Sequence, residues 1–332
     1  MCPCHRLPHR RRDYYIIGST LAIHSPELRP RVRLHCSQRV SRMRLRCNYG
    51  TPGTPEVAGR RTLRPLFLSF LWSPLLILFR NRTLLRQTVS QEIRKRYVGS
   101  VLGLLWTVAQ PLLFLGIYAA VFVLIFKVRF ELFDSNEYVL LIFCGLLPFL
   151  GFAEALSTGV GAVVANAGLI KNTLFPIELV PVKALLSSQV TQVVGTIILV
   201  LAIASVKGLG LMAWFVPVLW LAQLLFMAGM LWILSGLNVF FRDLQQIVAS
   251  LILLLMMLSP IAYTLDMVPE GLRVVVNANP IAHFIFCNQS LLILNEAPPE
   301  ASLWFVTISS IAMFLLGYAF FRRLKTVFVD HV

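Results

Sequence analysis

The residues best able to do chemistry in this 332-residue chain are a few charged side chains that lie beside or within long apolar stretches. The basic run Arg94-Lys95-Arg96, followed by Tyr97, comes just before the uncharged stretch 101–126. Glu154 is a lone carboxylate in an apolar stretch, and Arg242-Asp243 follow another such stretch. Charges at these positions bind partners, hold helices at a membrane surface or pair with one another inside a bundle.

Motifs for catalysis by the chain itself are absent from the sequence. There is no G-x-x-x-x-G-K-[ST] loop to hold ATP phosphates, and no paired-carboxylate motif indicates a membrane glycosyltransferase. Cys2-Pro-Cys4-His5 lacks a second ligand pair at zinc-finger spacing. We therefore expect a protein that is not an enzyme, with no catalytic residues, no metal site and no cofactor of its own.

The composition indicates a membrane protein. Hydrophobic residues make up 57% of the chain and charged residues only 14%, whereas soluble domains carry about 25% charged residues. A large soluble helical protein is the alternative, but one core of this length could not bury so many apolar side chains.

Residues 1–64 form a separate basic N-terminal extension. They carry +11 of the net charge of +15, contain Arg but no Lys, and show no helical periodicity. The extension could be an arm that binds nucleic acid or lipid. It could equally be translated upstream sequence, with Met43 or a later codon as the true start. The absence of an amphipathic face favours upstream sequence, so we expect no nucleic-acid partner.

Apolar stretches of about 20 residues are long enough to cross a bilayer as helices. The sequence predicts an all-α membrane domain over residues 101–328 with six spans. The predicted spans are 101–126, 138–164, 184–206, 208–241, 244–265 and 302–321. Lys and Arg concentrate before span 1, between spans 2 and 3, and after spans 4 and 6. The positive-inside rule therefore predicts that both termini are cytoplasmic.

Two apolar segments are too short to be spans. Residues 66–79 precede a basic run, so segment 65–100 is predicted to be a helical element in the cytoplasmic membrane interface. Residues 281–294 follow Pro280 and predict short outer helices between spans 5 and 6. We expect Glu154 to pair with a basic residue near the cytoplasmic end of span 2. A proton-relay role is less favoured, because no second acid or His lies at similar depth.

Four segments, in order, resemble the polysaccharide and polyol-phosphate permeases of the ABC-2 transporter family, which export O-antigen, capsule and teichoic acid. These segments are 91–112, with the residues Gln91 to Trp106 and Gln110-Pro111-Leu112; 169–181, from Leu169-Ile170-Lys171 to Pro181; Phe241-Arg242-Asp243; and 259–280, with Ser259-Pro260-Ile261-Ala262-Tyr263. The resemblance covers about residues 66–328. Val98, Asn172 and Asn288-Gln289 depart from the family pattern.

The resemblance implies roles for particular residues. Contacts with a separate ATPase are implied for Arg94, Lys95, Arg96, Tyr97, Leu169, Lys171, Phe175, Pro176 and Glu178. A moving cytoplasmic bracket is implied for Arg242 and Asp243. The translocation path or its gate is assigned to Trp106, Gln110, Tyr118, Phe122, Pro260 and Tyr263. Each assignment has a structural alternative: membrane anchoring for the charges and Tyr263, helix termination for Phe175-Pro176, and helix packing for the aromatic residues.

These observations predict the permease subunit of an ATP-driven exporter of lipid-linked polysaccharide in the bacterial inner membrane. The expected partners are a separate ATPase that binds ATP and Mg²⁺, a second copy of this chain, the lipid-linked glycan and membrane lipids. An ABC-2 permease for a small hydrophobic molecule or drug is the alternative.

Overall fold

The computed structural model describes residues 66–121, 135–172, 175–263 and 268–331, and these residues form helices joined by short turns. No β-strand occurs in these ranges, as the predicted all-α class requires. In chain order the helices are α1 Leu66–Arg80, α2 Arg82–Tyr97, α3 Trp106–Ala119, α4 Ser135–Gly159, α5 Ala162–Ala165, α6 Ala167–Asn172, α7 Leu179–Val206, α8 Val216–Phe240, α9 Leu244–Leu258, α10 Glu270–Ala278, α11 Pro280–Gln289 and α12 Glu300–His331. A 3₁₀ turn at Leu211–Phe215 leads into α8, and a π-helical turn at Ser290–Leu294 continues α11.

Among the described residues, four helices are long and apolar enough to cross a bilayer. They are Glu137–Gly159, Leu179–Val206, Leu211–Phe240 and Glu300–Lys325. Each overlaps one of the predicted spans, at 138–164, 184–206, 208–241 and 302–321. The structure therefore confirms a helical protein with several candidate spans.

The other two predicted spans are shorter as helices. α9 has 15 residues, which is about 22 Å at 1.5 Å per residue, against an apolar core of about 30 Å. It ends at Leu258 because the next residue, Ser259, precedes a proline and is extended, with ψ 140°. α3 has 14 residues, and residues 122–126 of predicted span 1 lie outside the described residues. The count of six spans stays a prediction.

The bundle has two chemically different ends. At the "hairpin end", α7 stops at Val206 and the chain reverses through Gly208, whose φ of +83° is easily adopted only by glycine. Lys207 Nζ lies 3.3 Å from the Glu137 carboxylate there, and Asn295 Oδ1 accepts a hydrogen bond from the Met212 amide. The opposite "basic end" holds α2, the end of α4, the start of α7 and the end of the α12 span.

α8 and α12 approach each other most closely at two glycines. A Cβ atom at Gly229 would overlap the backbone of Met313, and one at Gly317 would overlap the backbone of Gly229. One turn along, Trp232 packs against Phe314 and Tyr318 with ring centroids 5.2 and 5.4 Å apart. Small residues that admit a neighbouring backbone, flanked by interlocking rings, are a common way to pack helices in lipid.

α4 lies in the centre of the bundle and contains a proline. Pro148 has no N–H, so the Cys144 carbonyl loses its intrahelical partner. The side chain of Asn288 replaces it, with Nδ2 donating to the Cys144 oxygen at 2.8 Å. Gln223 of α8 donates to the Pro148 oxygen at 3.0 Å. Such replacement matters because an unpaired carbonyl in hydrocarbon costs several kcal/mol.

Candidate functional site

Two ion pairs hold the basic helix α2 to the bundle. In one of them α2 supplies the carboxylate, and in the other it supplies the cation. Glu92 lies 3.0 Å from Lys183 Nζ at the start of α7, and Arg96 bonds the carboxylate of Glu154 near the end of α4. Residues four apart lie on the same face of a helix, so Glu92 and Arg96 point inward together. Arg94 and Lys95 are both exposed. This face of α2 is therefore fixed while its other face stays available.

Glu154 has the basic partner that the sequence predicts. Its side chain is 17% exposed, accepts from Arg96 and also hydrogen bonds the side chain of Thr191 on α7. A carboxylate at this depth needs such partners. The pairing is therefore confirmed, and Arg96 is the partner.

The ATPase contacts implied for Leu169, Lys171, Phe175, Pro176 and Glu178 fall in α6 and in the turn that leads into α7. Asn166 joins α5 to α6, and its Oδ1 accepts from Lys183 Nζ at 2.9 Å. Leu169 and Phe175 are half-buried, as is Pro176. The side chains of Lys171 and Tyr97 lie outside the described residues.

Glu178, which the resemblance placed at the ATPase contact, is buried at the start of α7. Its carboxylate lies 2.7 Å from Lys325 Nζ of α12, and its carbonyl accepts from Trp232 Nε1 at 3.0 Å. The side chain is 8% exposed. In this structure Glu178 joins α7 to α8 and α12.

Arg242 and Asp243 form the exposed turn between α8 and α9 at the basic end. Asp243 precedes the first residue of α9, and its carbonyl accepts from the amides of Gln246 and Ile247. An acidic side chain is favoured at this position by the positive end of the helix dipole. A bracket role for this turn stays a prediction.

Two of the predicted gate residues line one cavity. Tyr118 of α3 and Tyr263, beyond the end of α9, border an apolar cavity of about 350 Å³ together with Met256, Met257 and Ser259. Tyr263 donates to the Leu258 carbonyl at 3.3 Å, and the buried Pro260 offers its carbonyl to Gln289 at 3.2 Å. Trp106 and Gln110 are exposed on α3 and do not border this cavity. Phe122 lies outside the described residues.

A buried amide network connects α4, α7 and α8, and the sequence analysis did not single it out. Gln192 Nε2 donates to Gln223 Oε1 at 2.9 Å, and Gln189 accepts from Trp220 Nε1 at 3.3 Å and donates to the Gly151 carbonyl. The available signal was the presence of three glutamines in spans without charge, because an amide at membrane depth must bond across helices.

Within the described ranges, no group of three or more His, Cys, Asp or Glu side chains is placed so that it could hold a metal ion. Cys144 and Cys287 are both buried as free thiols.

The ABC-2 type transporter family has a sequence profile that matches residues 83–291, from α2 to the π-helical turn after α11. The chain belongs to the ABC-2 type transporter family. Two O-antigen export system permease proteins RfbA of Klebsiella pneumoniae are 31% and 30% identical over 244 residues, covering 73% of this chain and 92% of each relative. An O-antigen export system permease protein RfbA of Myxococcus xanthus is 27% identical over 263 residues, or 77% of this chain and 97% of that relative.

The ABC-2 assignment confirms the resemblance drawn from the four segments. It also makes this chain a transport subunit of a multi-pass membrane protein family, and the family implies an ABC ATPase as partner. All the residues discussed at the basic end and at the cavity lie inside the matched range, except Lys325.

Proposed function

We propose that this ABC-2 permease is the membrane subunit of an ATP-driven exporter of lipid-linked polysaccharide of the O-antigen type. The observation that carries the proposal is the similarity to O-antigen export permeases over 92–97% of their length. A relationship that covers nearly the whole of a relative includes both its ends and its path-lining helices. The proposed location is the inner membrane of a bacterium.

The ATPase is proposed to be a separate polypeptide that binds ATP and Mg²⁺. The chain supplies no phosphate-binding loop of its own, so energy must come from a partner. α2 offers that partner the exposed Arg94 and Lys95 on a helix that Glu92 and Arg96 fix to α7 and α4. A helix fixed in this way can transmit movement of the ATPase into the bundle.

The basic end is proposed to face the cytoplasm. Arg94 to Arg96, Lys183, Arg242 and Lys325 all lie at this end, and excess Lys and Arg mark cytoplasmic loops. The hairpin end, with α10 and α11, then faces outward, where the Tyr118–Tyr263 cavity would narrow the path.

Two copies of the chain are proposed to form the path between them. The outward surfaces of α3 and α9 are apolar and exposed, for example at Leu113, Ile117, Leu254 and Met257. A cavity of about 350 Å³ in one copy is at the lower end of sites for small ligands and too small for a polymer of sugars. The wider passage therefore requires a second copy.

The test is ATP hydrolysis in proteoliposomes that contain this chain and a candidate ABC ATPase from the same organism. Lipid-linked polysaccharide extracted from the source strain is expected to stimulate hydrolysis several-fold, and a Walker-lysine variant of the ATPase is the control. Stimulation by small hydrophobic drugs without any response to the glycolipid would favour the alternative substrate. Hydrolysis that needs no ATPase partner would overturn the proposal.

A further inference from the structure

Lys183 is a buried cation where three elements of the basic end meet. The residue is 5% exposed and lies one turn into α7. Its Nζ bonds Glu92 of α2 at 3.0 Å and Asn166, between α5 and α6, at 2.9 Å. An ammonium group has three donors and no acceptor, so these two contacts use most of its capacity.

Both neighbours of Lys183 are themselves fixed. Glu92 lies four residues before Arg96, which binds Glu154 of α4, so α2 is held at two points. Asn166 also donates from Nδ2 to the Ala162 carbonyl at 2.7 Å, which orients its Oδ1 toward Lys183. The Lys183 ammonium group therefore joins α2 to the turn between α5 and α6, and its two partners have little freedom to move.

Ion pairs at this end differ in what they connect. Lys325–Glu178 joins α12 to α7, and Arg96–Glu154 joins α2 to α4. Lys183 bonds both α2 and the α5–α6 segment, which neither of those two ion pairs does.

We propose that Lys183 is a positioning residue that makes α2 and the α5–α6 segment move as one body, so that ATP hydrolysis on the partner subunit is coupled to export. This inference rests on the proposed function, in which α2 meets the ATPase, and on the ABC-2 resemblance, which implies ATPase contacts at Leu169 and Lys171 of α6. Without Lys183 the two elements can shift separately. Part of the movement produced when the ATPase closes is then not transmitted to the bundle.

Lys183→Met is the decisive substitution because it keeps the length of the side chain and buries no new polar group. It leaves Glu92 without a partner, but that carboxylate is 39% exposed and can be solvated. The variant is therefore expected to fold and bind the ATPase. Lys207→Met is the matched control, since it removes a partly exposed ion pair, with Glu137, that touches neither α2 nor α5–α6.

The first readout is the distance between spin labels at Gln87 of α2 and Gly168 of α6, both exposed, in the complex with the ATPase. Wild type and Lys207→Met are expected to give one narrow distribution with and without ATP. Lys183→Met is expected to give a broad one. A narrow distribution in Lys183→Met would overturn the inference, and this readout needs no transport substrate.

The second readout is polysaccharide exported per ATP hydrolysed. Lys183→Met is expected to lower this ratio about tenfold, equivalent to about 1.4 kcal/mol, with hydrolysis retained. Lys183→Arg, which keeps a cation with donors for both Glu92 and Asn166, is expected to retain most of it. An unchanged ratio in Lys183→Met, or a loss in Lys183→Arg as large as in Lys183→Met, would contradict the inference.

Two variants that each remove one contact of Lys183 keep the inference testable if Lys183→Met does not fold. They are Glu92→Ala and Asn166→Ala, and each is expected to broaden the label distances and lower the export ratio. Wild-type values in both variants would overturn the inference. If wild type itself shows no ATP-dependent export, the proposed function fails, and the distance readout still decides whether Lys183 joins the two elements.

Discussion

The crossing of α8 and α12 gives the sharpest prediction about the stability of the bundle. In Gly229→Ala, the new Cβ would lie 2.6 Å from the Phe314 amide nitrogen and closer still to the Met313 carbonyl. Ordinary contacts at such atoms are about 3.4–4 Å, so the helices must separate by about 1 Å. The obstacle is backbone on a packed helix and cannot rotate away.

The cost of that separation can be worked from what surrounds the crossing. A gap of about 0.5–1 Å forfeits a quarter to a half of each dispersion contact. The contacts of Trp232 with Phe314 and Tyr318 lie within a turn, and such aromatic pairs contribute about 0.5–1.5 kcal/mol each. With the strain of overpacking, we expect a loss of about 2–3 kcal/mol.

Thermal unfolding of the purified protein in detergent checks this value. A loss of 2–3 kcal/mol should lower the midpoint by about 5–10 °C. Gly116→Ala is the matched control, because Gly116 is also in an apolar helix but a Cβ there meets no atom within 4 Å. Its midpoint should stay within about 2 °C of wild type or rise, since Ala favours helix over Gly by about 1 kcal/mol. A wild-type midpoint for Gly229→Ala would refute the close crossing.

Three further predictions follow from polar contacts. Asn288→Leu should destabilise the protein by about 1–3 kcal/mol, because it leaves the Cys144 carbonyl unpaired. Adding Pro148→Ala, which returns a backbone N–H to that carbonyl, should recover most of the loss. No recovery in the double variant would contradict the explanation. Arg96→Leu should lower the unfolding midpoint more than Glu154→Gln, because it strands a mostly buried carboxylate; the reverse order would argue against the pair. A cysteine introduced at Arg242 should react with a membrane-impermeant maleimide only after cells are opened, and labelling of intact cells would place the basic end outside.

The sequence was a good guide to the long helices and a poor one to their ends at prolines. Predicted span 244–265 counts apolar residues across Pro260, whereas α9 stops at Leu258. Pro148 is also a proline in an apolar stretch, yet α4 continues through it. The difference is that Asn288, from a distant part of the chain, supplies a donor to the freed carbonyl. Local pattern cannot reveal a partner 144 residues away.

The candidate site was predictable by type of residue but not by pairing. A lone carboxylate in a span indicates a basic partner, and Glu154 has one, but only the fold identifies it as Arg96. Lys183 counted only as one of the basic residues between spans 2 and 3, and its contact with Glu92 depends on how α2 lies against α7. The resemblance implied that Glu178 contacts the ATPase, but in the structure its side chain is buried and paired with Lys325 of α12.

The central claim is that this ABC-2 permease exports a lipid-linked polysaccharide with energy from a separate ATPase. The direct measurement is surface polysaccharide on intact cells of the source strain, labelled by antibody or lectin, after deletion of this chain. The account predicts loss of the surface polymer with accumulation of its lipid-linked form inside, restored by wild type and not when the ATPase carries a Walker-lysine substitution. Normal surface polymer in the deletion strain, or restoration with the inactive ATPase, would contradict it.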